Sequence, residues 1–263
     1  MKKLFAVLMM IICVFALTAC GGGQKKADVA KVLKVGTDAN FPPFEYYQKN
    51  SKVFTGFDID LIQAMAKQMG YTKVEFVPTD FDKILTDLDA KKYDLAIAGM
   101  AITPERQTKY VFSDAYLTTG FIAIGHKEGT PFTKAEAAEA NSPLNGKRIA
   151  AEKNSHFVEL AKEYTKDVIE CRSTEDGIKM VAAGAADYVI TDKYVGRFFV
   201  TNGYNKNTEI AAELKGDGTV KNNALGIAMR KEDSKLQADV NKALHEVKRS
   251  GEFKNLTKTY FGE

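Results

Sequence analysis

The sequence predicts an α/β fold built as two similar, interleaved lobes. Three observations carry this. From residue 32 onward, short apolar runs alternate with stretches of helical periodicity. A second set of the same kind begins near residue 148. The last two helical stretches belong to neither set unless they fold back onto one of them. Strand–helix–strand alternation favours a parallel sheet covered by helices.

In the first set, residues 32–35 read as a strand. Ile59, Leu61, Ile62, Met65 and Met69 then recur at helical spacing, with Gly70 as a C-terminal stop. Residues 74–77 read as a second strand closed by Pro78. Phe81, Ile84, Leu85 and Leu88 form one face of a short helix, and residues 95–98 a third strand. In the second set, residues 148–151 are a strand, and Asn154 or Ser155 can cap the helix that carries Phe157, Leu160, Ala161 and Tyr164. A strand at 168–169 follows, then a helix begun by Ser173 or Thr174, then a strand at 188–190. The sets share a signature: Asp94-Leu95-Ala96-Ile97 follows Leu88 as Asp187-Tyr188-Val189-Ile190 follows Val181. A third copy is missing, which argues against a solenoid.

Boundaries between lobes fall near residues 118–122 and 215–223. After the second come a strand over 225–229, a helix carrying Leu236, Val240, Leu244 and Val247 that Gly251 ends, and a final helix with Phe253, Leu256 and Tyr260. Packing these onto the first lobe requires two crossovers, a natural hinge. The expected division is residues 32–118 with 224–263 for one lobe and 119–223 for the other, with hinge segments at its ends.

Composition narrows the function classes. Of 263 residues, 45% are hydrophobic and 27% charged, which argues against wholesale disorder and a polytopic membrane protein. The net charge is +3, with both signs interleaved along the chain, so no nucleic-acid partner is expected. Three cysteines give no disulfide framework.

Lys2 and Lys3 precede an apolar run over residues 4–17, about the length of a signal-peptide core and short of a spanning helix. The run ends in Leu17-Thr18-Ala19-Cys20-Gly21, which resembles a bacterial lipobox. That resemblance implies cleavage of residues 1–19, a diacylglycerol on Cys20, and a lipidated tether over 20–31 holding the protein to the outer face of the cell membrane. Cleavage lowers the net charge to +1. Cys171, beside an apolar strand, reads as a buried thiol.

Three stretches together resemble the family-3 extracellular solute-binding proteins, the polar amino-acid receptors of ABC importers. They are Val35-Gly36-Thr37-Asp38-Ala39-Asn40-Phe41-Pro42-Pro43-Phe44-Glu45 with Gly56-Phe57-Asp58-Ile59-Asp60-Leu61; Asp94 through Arg106 with Phe112-Ser113-Asp114-Ala115-Tyr116; and Asp187 through Asp192. The resemblance implies a type II periplasmic-binding-protein-like fold, two lobes joined by two hinge-strand crossovers. It also implies a monomer that encloses an amino acid and docks on a membrane permease served by an ATPase.

An amino acid calls for a planar cation, backbone donors and an acid. Arg106 suits the carboxylate, since a guanidinium grips it bidentately. Thr103 reads as an N-cap and Pro104 as the first helical residue, which puts Arg106 in a first turn. Gly99 and Ala101 follow a strand end, where open α/β sheets hold ligands. Ala101 stands where the family often has a hydroxyl. By resemblance Asp192 pairs with the α-ammonium, Ser155 and His156 offer backbone N–H groups, and Phe41 and Phe81 sandwich the ligand's stem. Asp38 points at its distal end, and Glu152 occupies a second-lobe position where relatives vary with specificity. Asp38, Glu152 and Asp192 against Arg106 leave the site at −2, which favours a cationic ligand such as arginine, lysine, ornithine or histidine. A neutral polar amino acid or cystine is the alternative. A dehydratase-like enzyme on the same fold is the remoter one. His126, His156 and His245 sit in no nucleophile–base or metal-ligand motif, so no catalytic residue, metal or cofactor is expected.

Overall fold

The computed structural model describes residues 31–48, 51–129, 131–215 and 223–262. The expected signal peptide, Cys20 and all of the expected tether but Lys31 lie outside the described residues.

Two five-stranded sheets form the body. The first runs in the order Lys73–Pro78, Val32–Thr37, Leu95–Ala96, Ala228–Arg230, Tyr110–Phe112. The second runs Val168–Cys171, Ile149–Glu152, Tyr188–Asp192, Phe121–His126, Thr208–Leu214. In each, the first three strands are parallel and the fourth runs against both neighbours. The repeated signature in the sequence is therefore a repeated sheet pattern. Apolar continuity marks these strands because helices cover them.

The fourth strand of each sheet arrives by a crossing. Leu117–Thr119 leads directly into Phe121–His126, and Asn223–Leu225 leads back into Ala228–Arg230. The two crossing segments pair antiparallel, Thr119 opposite Asn223 and Leu117 opposite Leu225. This corrects the single strand expected over 225–229. The chain changes sheet at Gly226-Ile227, where the Gly226 N–H donates to the Met100 carbonyl (2.9 Å) and the Ile227 N–H to Ser113 Oγ (3.0 Å). A Cβ on Gly226 would stand 2.7 Å from the Ile102 side chain, so a larger residue cannot make this step unmoved. The third strand of the first sheet is also shorter than expected, ending at Ala96.

Helix ends follow the capping residues. Thr103 accepts the Arg106 N–H (3.2 Å) with Pro104 first in the helix Pro104–Lys109. Ser155 starts His156–Lys162, and Ser173 starts Thr174–Ala182. The closing helices, Ser234–Arg249 and Glu252–Phe261, pack on Phe57–Gln68 of the first lobe. Phe261 lies 5.3 Å from the Phe44 ring of the first lobe and also reaches Tyr194 of the second, at 4.3 Å. Phe44 is fully buried, and such an aromatic contributes on the order of 2 kcal/mol. Cys171 is buried, and burial pushes its thiol up to about 12.

Candidate functional site

The C-terminal ends of the parallel strands in both sheets meet at one cleft. Arg106 stands there because its helix begins at the Thr103 cap, just past the strand Leu95–Ala96. Its Nη1 donates to the Ala101 carbonyl (2.8 Å) and its Nη2 to the Asn154 carbonyl of the opposite lobe (3.0 Å). Its guanidinium lies 5.4 Å from the centre of the Phe81 ring. Burial lowers it to about 10, so it stays cationic at neutral pH. Asn154 has φ +58°, the left-handed region, in the loop between Glu152 and the Ser155 cap. The Ser155 hydroxyl donates to the Glu152 carbonyl and accepts the Phe157 N–H (3.3 Å).

A narrow cavity between the lobes is lined by Phe41, Phe81, Gly99 and Ala98 on one side and Glu152, Ser155, His156 and Phe157 on the other. Phe81, Ser155 and His156 also line the wider cleft that contains Arg106. Seven of the sequence candidates (Phe41, Phe81, Gly99, Arg106, Glu152, Ser155 and His156) thus come together. Phe41 stacks on Phe157 across the gap, centroids 6.5 Å apart. The His156 ring packs on Phe157 at 4.3 Å.

The acids are buried. Asp38 accepts from Asn40 Nδ2 (3.0 Å), and burial pushes its carboxyl up to about 6. Glu152 is driven well above the carboxylate range, first by burial and then by the charge of Asp38.

Gly99, Ala101 and Asp192 are each engaged by contacts within the protein. Gly99 has φ +50°, but the space over it holds the Phe41 ring, and a Cβ would lie 2.6 Å from that ring. Its N–H donates to Asp58 Oδ2 (2.8 Å), not towards the cleft. Ala101 pairs with Leu225 of the crossing segment, and its carbonyl receives Arg106. Asp192 is fully buried and caps the helix Lys193–Phe199: Oδ1 accepts the N–H groups of Tyr194 (2.7 Å) and Val195 (3.3 Å). Its Oδ2 accepts from Thr119 and from Asn223 Nδ2 (2.8 Å), one from each crossing segment. Burial pushes it up to about 6.

The sequence reading missed Asp82, Lys153, Asn154 and Phe157. Lys153 and Asn154 stand between two residues already singled out, Glu152 and Ser155, which was the available signal. Glu45 and Asp58 belong to the first of the three family-like stretches. Both are fully buried, the charge of Asp58 helps to raise Glu45, and Tyr116 donates to Asp58 Oδ2 (2.9 Å). Among the described residues, no group of three or more His, Cys, Asp or Glu could hold a metal ion, and no helix is long and apolar enough to cross a membrane.

A model of the bacterial extracellular solute-binding proteins, family 3, matches residues 33–263. The chain belongs to this family. Among curated family relatives, the L-cystine-binding protein TcyA of Bacillus subtilis (strain 168) is 30% identical, covering 100% of this chain and 98% of its own. The arginine-binding extracellular protein ArtP of the same organism is 32% identical, with 99% and 98% covered. A solved structure of an ancestral arginine-binding protein bound to arginine superposes with a TM-score of 0.78 at 35% identity, covering 88% of this chain and 98% of that one. The two sheets and their paired crossing segments are those of the family's two-lobed type II fold.

Proposed function

We propose that this family-3 protein is a lipid-anchored extracytoplasmic receptor that encloses a basic amino acid between its lobes and delivers it to an ABC importer. The observation that carries this reading is the pair Asp38 and Glu152. They come from opposite lobes, both are buried, Glu152 lines the cavity beside the Arg106 cleft, and the charge of Asp38 raises the affinity of Glu152 for protons. A cationic side chain between them would stabilise both ionised forms; a neutral one would leave buried acids uncompensated. Arginine-binding relatives support the same ligand class.

Arg106 then grips the ligand carboxylate, exchanging the Asn154 carbonyl for a charge-assisted pair. The aromatic faces of Phe41 and Phe81 hold the aliphatic stem. Asp192 receives the α-ammonium, which takes the place of Thr119 or Asn223 as donor. Contacts made to both lobes favour the closed form, and the closed form docks on the permease. Cys20 carries the anchor; globomycin or Cys20→Ala leaves the precursor unprocessed, and normal maturation would refute it.

Isothermal titration decides the ligand. L-Arginine, L-lysine, L-ornithine and L-histidine are compared with L-glutamine and L-cystine. A basic amino acid binds best; tighter binding of glutamine or cystine overturns the charge argument and supports the neutral-ligand alternative.

A further inference from the structure

The cleft is bridged at its rim by a contact that ligand recognition does not use. Lys153 Nζ lies 2.6 Å from Asp82 Oδ2, and the two residues belong to opposite lobes. Asp82 follows Phe81 in the turn Phe81–Lys83, and Lys153 sits between Glu152 and Asn154. Each partner is therefore the chain neighbour of a cavity-lining residue. The Asp82 side chain is 15% exposed and that of Lys153 39%. The second oxygen of Asp82 is buried with no hydrogen-bond partner among the described residues, so Lys153 is its main compensation. The nearby Lys83 is held by Asp80 at 2.6 Å.

The same short loop is gripped twice, at Lys153 by Asp82 and at the Asn154 carbonyl by Arg106. The second grip is given up if Arg106 turns to a carboxylate. The first joins two residues to which no ligand contact is assigned.

We propose that the Asp82–Lys153 ion pair is a latch between the lobes, a positioning pair that holds the closed form and slows ligand release. The proposal rests on the reading that a ligand is enclosed between the lobes. An opening motion separates the charges and returns both to water, so the latch weakens with salt. Closed-state pairs act on dissociation more than on association.

The test measures L-arginine dissociation by stopped flow and the interlobe distance by spin labels, one on each lobe, in purified protein. Lys153→Glu raises the dissociation rate about three- to tenfold, leaves the association rate within twofold, and shifts the distance distribution outward. The double variant Asp82→Lys with Lys153→Glu restores most of both readouts, and 0.5 M NaCl erases the difference between variants. Wild-type dissociation rates and distances in the single variants would overturn the latch. If the wild type does not bind L-arginine, the basic-ligand reading fails instead, and the distance distributions alone decide the latch.

Discussion

Asn223 donates from Nδ2 to the Asp192 carboxylate at 2.8 Å, and Asn223 is the first residue of the returning crossing segment. Thr119, on the outgoing segment, donates to the same oxygen. One buried carboxylate thus ties both crossing segments to the start of the helix Lys193–Phe199. A ligand ammonium at Asp192 would act directly on the hinge, because it would compete with hinge donors.

Asp192→Ala removes a helix cap and two buried hydrogen bonds to a carboxylate. A cap is worth about 1 kcal/mol and a hydrogen bond to a charged group about 2 kcal/mol. Urea unfolding should show a loss of roughly 2–4 kcal/mol, together with loss of ligand binding. Asp192→Asn keeps the cap but sets an amide against the Asn223 amide, so it should lose binding with a smaller stability change. Unchanged affinity in Asp192→Asn would remove the carboxylate from the ligand site.

Arg106→Ala should abolish binding, a loss of at least a hundredfold, with the fold retained by circular dichroism. The guanidinium contacts only two carbonyls and the face of Phe81, so no buried acid is orphaned by its removal. Arg106→Lys should recover little, since an ammonium cannot make two parallel bonds to a carboxylate. Near-native affinity in Arg106→Ala would place the carboxylate elsewhere.

Much of this architecture was readable because the central strands of both sheets are largely buried and appear as apolar runs. The sheet change at Gly226 was not readable, because Leu225 through Met229 is also an apolar run and hydropathy carries no record of which sheet a strand joins. Arg106 could be placed in a first turn from Thr103-Pro104 alone, since capping is local. Lys153–Asp82 and Arg106–Asn154 could not, because they exist only when two distant segments close on each other, and one partner is a main-chain carbonyl. Gly99 at a strand end implies open backbone for a ligand, and only the folded chain shows the Phe41 ring lying on it.

Five buried carboxyls, Asp38, Glu45, Asp58, Glu152 and Asp192, are all displaced upward with burial as the leading cause. An acid with a higher pKa in the folded state binds more protons folded than unfolded. Its effect on stability is most favourable below the unfolded value, near 4, and is lost as pH rises through the folded value, about 6 for Asp38, Asp58 and Asp192. The ligand-free protein should therefore unfold at a higher temperature at pH 5 than at pH 8, by calorimetry. Glu45→Gln should flatten that slope, because Glu45 and Asp58 face each other and Asp38, Glu152 and Asp192 add to the same negative field. A melting temperature that rises from pH 5 to pH 8 would contradict this account.

Ligand binding should run the opposite way with pH. A cationic side chain favours the ionised forms of Asp38 and Glu152, so affinity for L-arginine should fall as pH drops below about 6, where Asp38 takes up its proton. Burial and the charge of Asp38 favour the acid form of Glu152, and a cation beside it favours loss of that proton. Titrations in phosphate and in Tris, whose ionisation heats differ, should then give different binding enthalpies at one affinity, reporting net proton release on binding. Glu152→Gln should abolish most of that difference and weaken L-arginine more than L-glutamine. Equal enthalpies in the two buffers, or equal loss for both ligands, would detach Glu152 from the ligand's cationic end.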